Sequence, residues 1–378
     1  MPRRLSALAA TLLLAACAST PPAPSQPPSP RLPDVANYEW VKLDTEPHKG
    51  KQDDIVFLTP DLGWYVNGAG KIFKTTDGGR TWTLKLHKPG TYFRCIAFVD
   101  EKRGFAGNIG PDYFPGVTDA TPLYETRDGG ETWTAVTTIS GPAPKGLCAI
   151  DVVRQPFINA GVLDHKVTIT AVGRVGGPAF LLTSTDGGDH WQSSDLSGVA
   201  GMLLDVKFLD EKTGLVAAAT KANVAESNAL ILRTDDGGRN WTKVYQSERP
   251  YEATWKMSFP TRTTGYVTIQ SYNPDKNVSQ RYVAKSNDGG RSWIELPVVN
   301  DHAFREFGIA FMDANTGWIG GSTTGVETRD GGATWTPVAM GRAVNKIRLV
   351  GDASNFAGYA IGVDVHKLQP KQAGELTK

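Results

Sequence analysis

The stretch TRDGGETW, residues 126–133, decides the fold, because the chain writes nearly the same eight residues six times. The other copies are TTDGGRTW (75–82), STDGGDHW (184–191), TDDGGRNW (234–241), SNDGGRSW (286–293) and TRDGGATW (328–335). Ser or Thr two residues before Asp supplies side-chain oxygens that bond local backbone N–H groups and fix a turn. The paired glycines supply the left-handed positions of a tight hairpin. The Trp that follows opens the next strand and offers a large ring for packing against the neighbouring unit. Each copy therefore reads as a hairpin corner with an anchor. The corner aspartates are Asp77, Asp128, Asp186, Asp236, Asp288 and Asp330, and the anchors are Trp82, Trp133, Trp191, Trp241, Trp293 and Trp335. Six copies argue for scaffold, since a catalytic site needs one set of groups and a corner is needed in every unit.

Successive aspartates lie 51, 58, 50, 52 and 42 residues apart. A period of roughly 50 residues with strand-like flanks fits one four-stranded propeller blade per unit. Between the corners a second pattern recurs: FLTPDLGWYV (57–66), FVDEKRGFAG (98–107), FLDEKTGLVA (208–217), FPTRTTGYVT (259–268) and FMDANTGWIG (311–320). Each has Phe, a turn, Gly six residues on and an apolar strand, which reads as the first two strands of a blade. Residues 149–173 read as a stretched copy with a longer connection, and 347–362 supply a seventh. Seven strand pairs against six corners leave one blade short of an outer strand. WVKLD (40–44) resembles the strand after each corner, such as WTLKL (82–86), with no corner before it. It is expected to close the last blade, whose inner strands come from 346–370, so that no sheet edge is left open.

The fold class expected is thus all-β, a single seven-bladed propeller of four-stranded blades over residues 34–370, with 371–378 as a tail. Upstream, MPRRLSALAATLLLAAC pairs Arg3 and Arg4 with an apolar run from Leu5 to Ala16 that is too short to span a bilayer, so 1–16 reads as a signal peptide. LAAC (14–17) resembles the bacterial lipobox, which implies lipidation at Cys17; Ala18 in place of Asp favours the outer membrane, with the protein facing the periplasm. Residues 18–33 carry seven prolines and read, with Cys17, as an extended tether reaching roughly 50 Å at about 3.1 Å per residue. Contact with the membrane is expected through this lipid alone.

The chain has 40 Lys and Arg against 39 Asp and Glu, a balance that argues against a nucleic-acid binder. Its six His are scattered, with neither zinc spacing nor a phosphate loop nor a nucleophile elbow, so no metal and no cofactor are expected. Cys95 and Cys148 fall at matching places on adjacent blades, and a disulfide between them stays open on sequence grounds. Aligning the inner strands on their Phe puts Asp54, Cys95, Cys148, Asp205, Lys256, Gly308 and Lys346 toward the central channel. Just upstream, in the loops that lead into the blades, lie Tyr92, Phe93, Arg94, Lys145, Glu252, Trp255, Phe304, Arg305, Glu306 and Arg342. Three long connections, 108–122, 220–229 and 271–281, are expected on the same face and bring Tyr113, Phe114 and Tyr272 as exposed aromatics. Arg with aromatics is the composition of interface hot spots. Tyr92, Arg94, Tyr113, Phe114, Trp255, Lys256, Tyr272, Arg305 and Arg342 are therefore the candidate partner-binding residues.

The corner motif, Ser/Thr-x-Asp-x-Gly-x-x-Trp, is similar to the Asp box, or bacterial neuraminidase repeat, of sialidases, sortilin-type receptors and xyloglucan-active propellers. With the blade period and the Phe…Gly pattern, the chain from about residue 34 to 368 best resembles the photosystem II assembly and stability factors. That resemblance implies a non-enzymatic lipoprotein that docks a protein partner of the kind found in a membrane-protein assembly intermediate; nothing in the sequence itself indicates photosynthesis. The rival reading is a sialidase-like hydrolase or a glycan-binding propeller. Arg94, Arg305 and Arg342 with Glu252 or Glu306 supply the residue types a sialidase needs, yet DDIVF (53–57) stands where its Arg-Ile-Pro motif belongs. Xyloglucanases place their acids between two propellers, and only one is read here.

Overall fold

The computed structural model describes residues 33–159 and 161–371. Cys17, the signal segment, nearly all of the tether and residues 372–378 lie outside the described residues. Seven sheets follow one another along the chain. Blade 1 is Gln52–Phe57, Gly63–Asn67, Lys71–Thr75 and Thr83–His87; blade 2 is Phe93–Phe98, Gly104–Asn108, Leu123–Thr126 and Thr134–Ala135. Blade 3 is Ala149–Asn159, Val162–Gly173, Phe180–Ser184 and Trp191–Asp195, with Ile139–Ser140 added in parallel as a fifth strand. Blade 4 is Met202–Phe208, Gly214–Ala219, Ala229–Thr234 and Thr242–Gln246; blade 5 is Glu252–Ser258, Gly265–Ser271, Gln280–Ser286 and Ile294–Asn300. Blade 6 is Ile309–Phe311, Gly317–Gly320, Gly325–Thr328 and Thr336–Val338.

Blade 7 joins the two ends of the domain. Its first three strands are Lys346–Val350, Ala357–Ile361 and Val365–Pro370, and its fourth is Tyr38–Lys42, antiparallel with Trp40 opposite Leu368. The closing strand starts two residues before the expected 40–44. Trp40 meets Trp318 of blade 6 edge-on, with centroids 5.9 Å apart, and so gives the cornerless blade an anchor of its own.

The corners show why their residues recur. The Thr126 hydroxyl donates to Asp128 Oδ1 (2.8 Å) and accepts the Gly130 N–H (2.8 Å). Asp128 in turn accepts the N–H (2.9 Å) and the hydroxyl (2.6 Å) of Thr132. Gly129 and Gly130 sit at φ +72° and +88°, where a side chain is strained. His190 and Asn240 replace the second hydroxyl at Asp186 and Asp236.

Trp191 of blade 3 packs on the neighbouring unit as expected, edge-on to Phe105 of blade 2 at 5.3 Å, whereas the other five corner Trp rings pack first against their own blade. Trp133 lies edge-on to Phe98 at 6.0 Å, and a Cβ on Gly104 would fall 2.7 Å from that Phe ring. The Phe, the Gly six residues on and the Trp thus form one device, repeated as Phe57–Gly63–Trp82 and Phe311–Gly317–Trp335. Neighbouring blades also meet at the turn glycines. Trp64 of blade 1 stacks on Phe98 (3.6 Å) and donates to Gly129 O (3.1 Å); Tyr359 of blade 7 stacks on Phe57 (3.5 Å) and donates to Gly78 O (3.2 Å).

Blade 3 departs from expectation. The stretch read as a longer connection is one continuous hairpin, paired from Ala149↔Val172 out to Asn159↔Val162. Val and Ile on both strands, with Thr168 and Thr170 on the second, favour extended backbone, and Pro156 is tolerated because it stands beyond the blade, where no third strand needs an N–H from it.

Candidate functional site

Bulges in the inner strands build the mouth of the channel. In blade 1, Gln52 pairs with Asn67 and Asp54 with Val66, which leaves Asp53 extra; in blade 2 the same shift leaves Arg94. In blade 5, Trp255 and Lys256 face Thr268 alone. A bulge re-aims the extra side chain, here toward the axis. The Arg94 guanidinium lies 5.6 Å from the Trp255 ring centroid, and blades 2 and 5 are not neighbours, so the contact is made across the channel. Arg94 is ion-paired with buried Asp53. Trp255 donates to Asn345 Oδ1 (3.1 Å), and Asn345 donates to Asp53 O (2.8 Å). Lys51 also donates to Asn345 Oδ1 (3.1 Å), with its ammonium 4.9 Å from the Phe307 ring.

A second polar layer lies beneath. Asp205 of blade 4 meets Lys346 of blade 7 at 3.0 Å and Lys256 at 3.6 Å, and Lys256 donates to Leu204 O (2.8 Å). Asp205 and Asp54 each also accept a backbone N–H from the next blade, Met257 (3.0 Å) and Ile96 (3.1 Å), which fastens the inner strands to one another. Burial, then Arg94, lowers the Lys51 pKa to about 7; burial, then Lys346, lowers Lys256 to about 8. Burial opposes the Asp205 charge, but Lys346 and Lys256 overcome it and hold the carboxyl below its usual range.

Loops from the second-to-third connections stand around this floor. Tyr92 stacks on Phe114 (4.5 Å), and Tyr113 meets Phe114 edge-on (4.7 Å). Arg174 fixes their loop by donating to Ile109 O (3.0 Å) and Pro111 O (2.5 Å). On the other side the Arg305 guanidinium lies 4.7 Å from the Tyr272 ring centroid. Glu306 beneath it is fully buried, neither carboxylate oxygen has a hydrogen-bond partner among the described residues, and burial holds its pKa well above the usual range.

The candidate residues thus occupy three levels. Tyr113 and Arg342 are exposed, whereas Tyr92, Phe114, Tyr272 and Arg305 are half-buried. Phe114 and Tyr272 are therefore not the exposed aromatics expected of them, because each ring is covered by a stacking partner. Arg94 and Trp255 are buried and form the floor, and Lys256 is held in the layer below by Asp205 and Leu204 O. The three arginines do not converge: Arg94 is held by Asp53, Arg305 by Tyr272, and Arg342 stands in solvent. Glu252 is taken by Arg249 at 2.6 Å. Cys95 and Cys148 are free and buried in separate apolar clusters, so the open disulfide question resolves to two thiols.

Sequence reasoning missed Lys51, Asp53, Phe307 and Asn345. The column four residues before the aligned Phe, Asp53, Arg94, Leu204, Trp255 and Phe307, contains most of the floor. The column chosen from sequence, three before, is the layer beneath it.

No family model matches the chain. A photosystem II assembly lipoprotein, Ycf48 of Synechococcus sp. (strain CC9902), is 25% identical over 346 residues, covering 86% of this chain and 86% of that protein. The solved structure of YCF48 bound to a D1 peptide superposes with a TM-score of 0.60 at 16% identity, over 91% of this chain and 98% of that one. The chain resembles the Ycf48 photosystem II assembly factors. The superposition carries the fold of this Ycf48-like propeller and no more. A probable oligoxyloglucan-reducing end-specific xyloglucanase of Neosartorya fischeri is 22% identical over 296 residues, and this match takes in 71% of the present chain but 32% of the enzyme.

Proposed function

We propose that the propeller is a non-enzymatic assembly module that docks a segment of a protein partner on the mouth face, held at a bacterial membrane by lipid on Cys17. In this reading residues 1–16 are removed, Cys17–Pro33 tether residues 34–370, and the propeller faces the periplasm from the outer membrane. The observation that carries the reading is the shape of the mouth. Its floor is closed by an ion pair and an Arg–Trp contact across the axis, and its rim offers Tyr113, Arg342 and the Arg305–Tyr272 stack. A filled floor with an Arg and aromatic rim suits a broad contact with a polypeptide. The peptide-bound YCF48 structure and the curated assembly lipoproteins support it.

The test is a photo-crosslinking amino acid at position 113 or 342 in the membrane-anchored chain. A discrete protein adduct, lost with Arg305→Ala, is expected; adducts indifferent to Arg305→Ala would count against docking at this face. The hydrolase reading is addressed by fluorogenic sialosides and xyloglucan oligosaccharides. No turnover is expected, and turnover that disappears with Arg305→Ala would overturn the proposal.

A further inference from the structure

In every blade the first strand runs away from the mouth, so the Asp-Gly-Gly corners and the first-to-second connections lie on the far face. Tyr38 pairs with Pro370, the far end of the third strand of blade 7. The described chain therefore enters the propeller on that far face. The blade 3 hairpin projects on the same side. By its spacing from Cys148, Asp151 takes the place that Phe98 holds in blade 2, and pairing continues from there to Asn159↔Val162. The corner of the blade reaches it as far as Val167, opposite Arg154, where Gly187 N–H donates to Val167 O (3.2 Å), so at about 3.3 Å per residue the remaining hairpin stands about 15 Å proud. Its base is braced on both sides, since Arg154 donates to Val99 O (2.8 Å) and Lys166 pairs with Glu211 (3.2 Å).

Phe157 borders a cavity that it shares with Leu209 of blade 4 and Arg262 of blade 5, while the apolar side chains beyond it stand mostly in solvent. Phe157, Ile158, Val162 and Leu163 are 44, 69, 67 and 61% exposed, half of the eight strongly exposed large apolar side chains among the described residues. Ile158 pairs with Leu163 on one face of the hairpin, while Phe157 and Val162 belong to the other. A strand that docks on a protein is apolar toward that protein; a tip apolar on both faces suits a medium that surrounds it. Exposed Asp164 and the unpaired strand edges limit how far such a tip can enter, because backbone groups without partners are costly in hydrocarbon.

We propose that Ile158, Val162 and Leu163 at the blade 3 hairpin tip, with the edge of Phe157, insert shallowly into the lipid bilayer that holds Cys17. The inference rests on the lipid-anchor reading above. The tether's reach of roughly 50 Å exceeds the height of the hairpin, so tip and lipid can share one surface. The mouth then faces away from the bilayer, open to a partner arriving from the periplasm.

The test places an environment-sensitive nitrobenzoxadiazole dye on Ile158→Cys, and on Tyr113→Cys as a mouth control, in the full mature chain. The native thiols Cys95 and Cys148 are buried. The proteins are reconstituted in phosphatidylethanolamine–phosphatidylglycerol vesicles carrying a shallow nitroxide lipid, and acylation of Cys17 is read by mass spectrometry. The expected result is a severalfold emission rise and strong quenching at 158, neither at 113, and loss of membrane ordering in a Phe157→Ser/Val162→Ser/Leu163→Ser background with unchanged thermal unfolding. Acylated Cys17 with a water-exposed, unquenched dye at 158 would overturn insertion and leave the anchor standing. Equal quenching at both sites, or a dye at 158 shielded only by an added protein, would also overturn it. A Cys17 without acyl chains would remove the anchor reading and this inference together.

Discussion

At the scale of residues, the corner aspartates are tuned in the same direction by the turn they sit in. Asp77, Asp128 and Asp330 are lowered to about 2 chiefly by the hydroxyl and N–H of the Thr four residues on; at Asp236 the Asn240 N–H leads, with its side-chain amide. A folded pKa below the ordinary 3.8 means a stabilisation fully present above that value and lost as pH falls through about 2. The corner contribution should be constant above about 4, so the melting temperature should drop as pH falls from about 4 toward about 2. Calorimetry showing a flat profile across that window would contradict the account. The floor pair gives a second prediction. Arg94→Ala leaves the Asp53 carboxylate buried without its partner and should cost about 3–5 kcal/mol in denaturant titrations. Asp53→Leu combined with Arg94→Leu should recover most of that loss, since two apolar groups carry no desolvation penalty.

At the scale of elements, the Phe…Gly spacing is a packing rule. Gly104→Ala drives a methyl into the Phe98 ring and should destabilise by about 1–3 kcal/mol. Gly198→Ala meets nothing within 4 Å and should stay within about 0.5 kcal/mol of the parent in the same titration. Equal effects at the two positions would mean that the ring–glycine contact is not what the spacing serves. The same element-level view accounts for the blade 3 surprise. Its sequence carries β-branched and aromatic residues well past the length of a blade, and it lacks the Phe…Gly pair that turns the chain back in most of its neighbours.

At the scale of the molecule, the ring is closed by Tyr38–Lys42, and every other blade leans on its neighbours through the corners. Trp40→Ala should cost about 3–5 kcal/mol, although the residue lies far along the chain from Trp318, which it contacts. Removing residues 34–45 should lower the melting temperature and broaden the transition of the whole propeller, because a blade with an open edge no longer holds the two ends together. A sharp, unshifted transition after that deletion would sink the closure model. The blade count, the corner chemistry and the closing strand were all legible in the sequence, because each depends on contacts between residues close in the chain or on a pattern repeated at fixed period. The mouth was legible only in part. Arg94 and Trp255 stood out by residue type, but Asp53 belongs to the site because a bulge frees it from its ladder, and Lys51, Phe307 and Asn345, which stand just ahead of their first strands, belong to it because the ring brings those entries together at an axis that no single blade contains. Sequence periodicity carries what each unit does to its neighbour. Which side chains meet across the ring, and which apolar ones are left in solvent at the blade 3 tip, was decided by the tertiary structure, since those positions follow from the summed geometry of all seven blades.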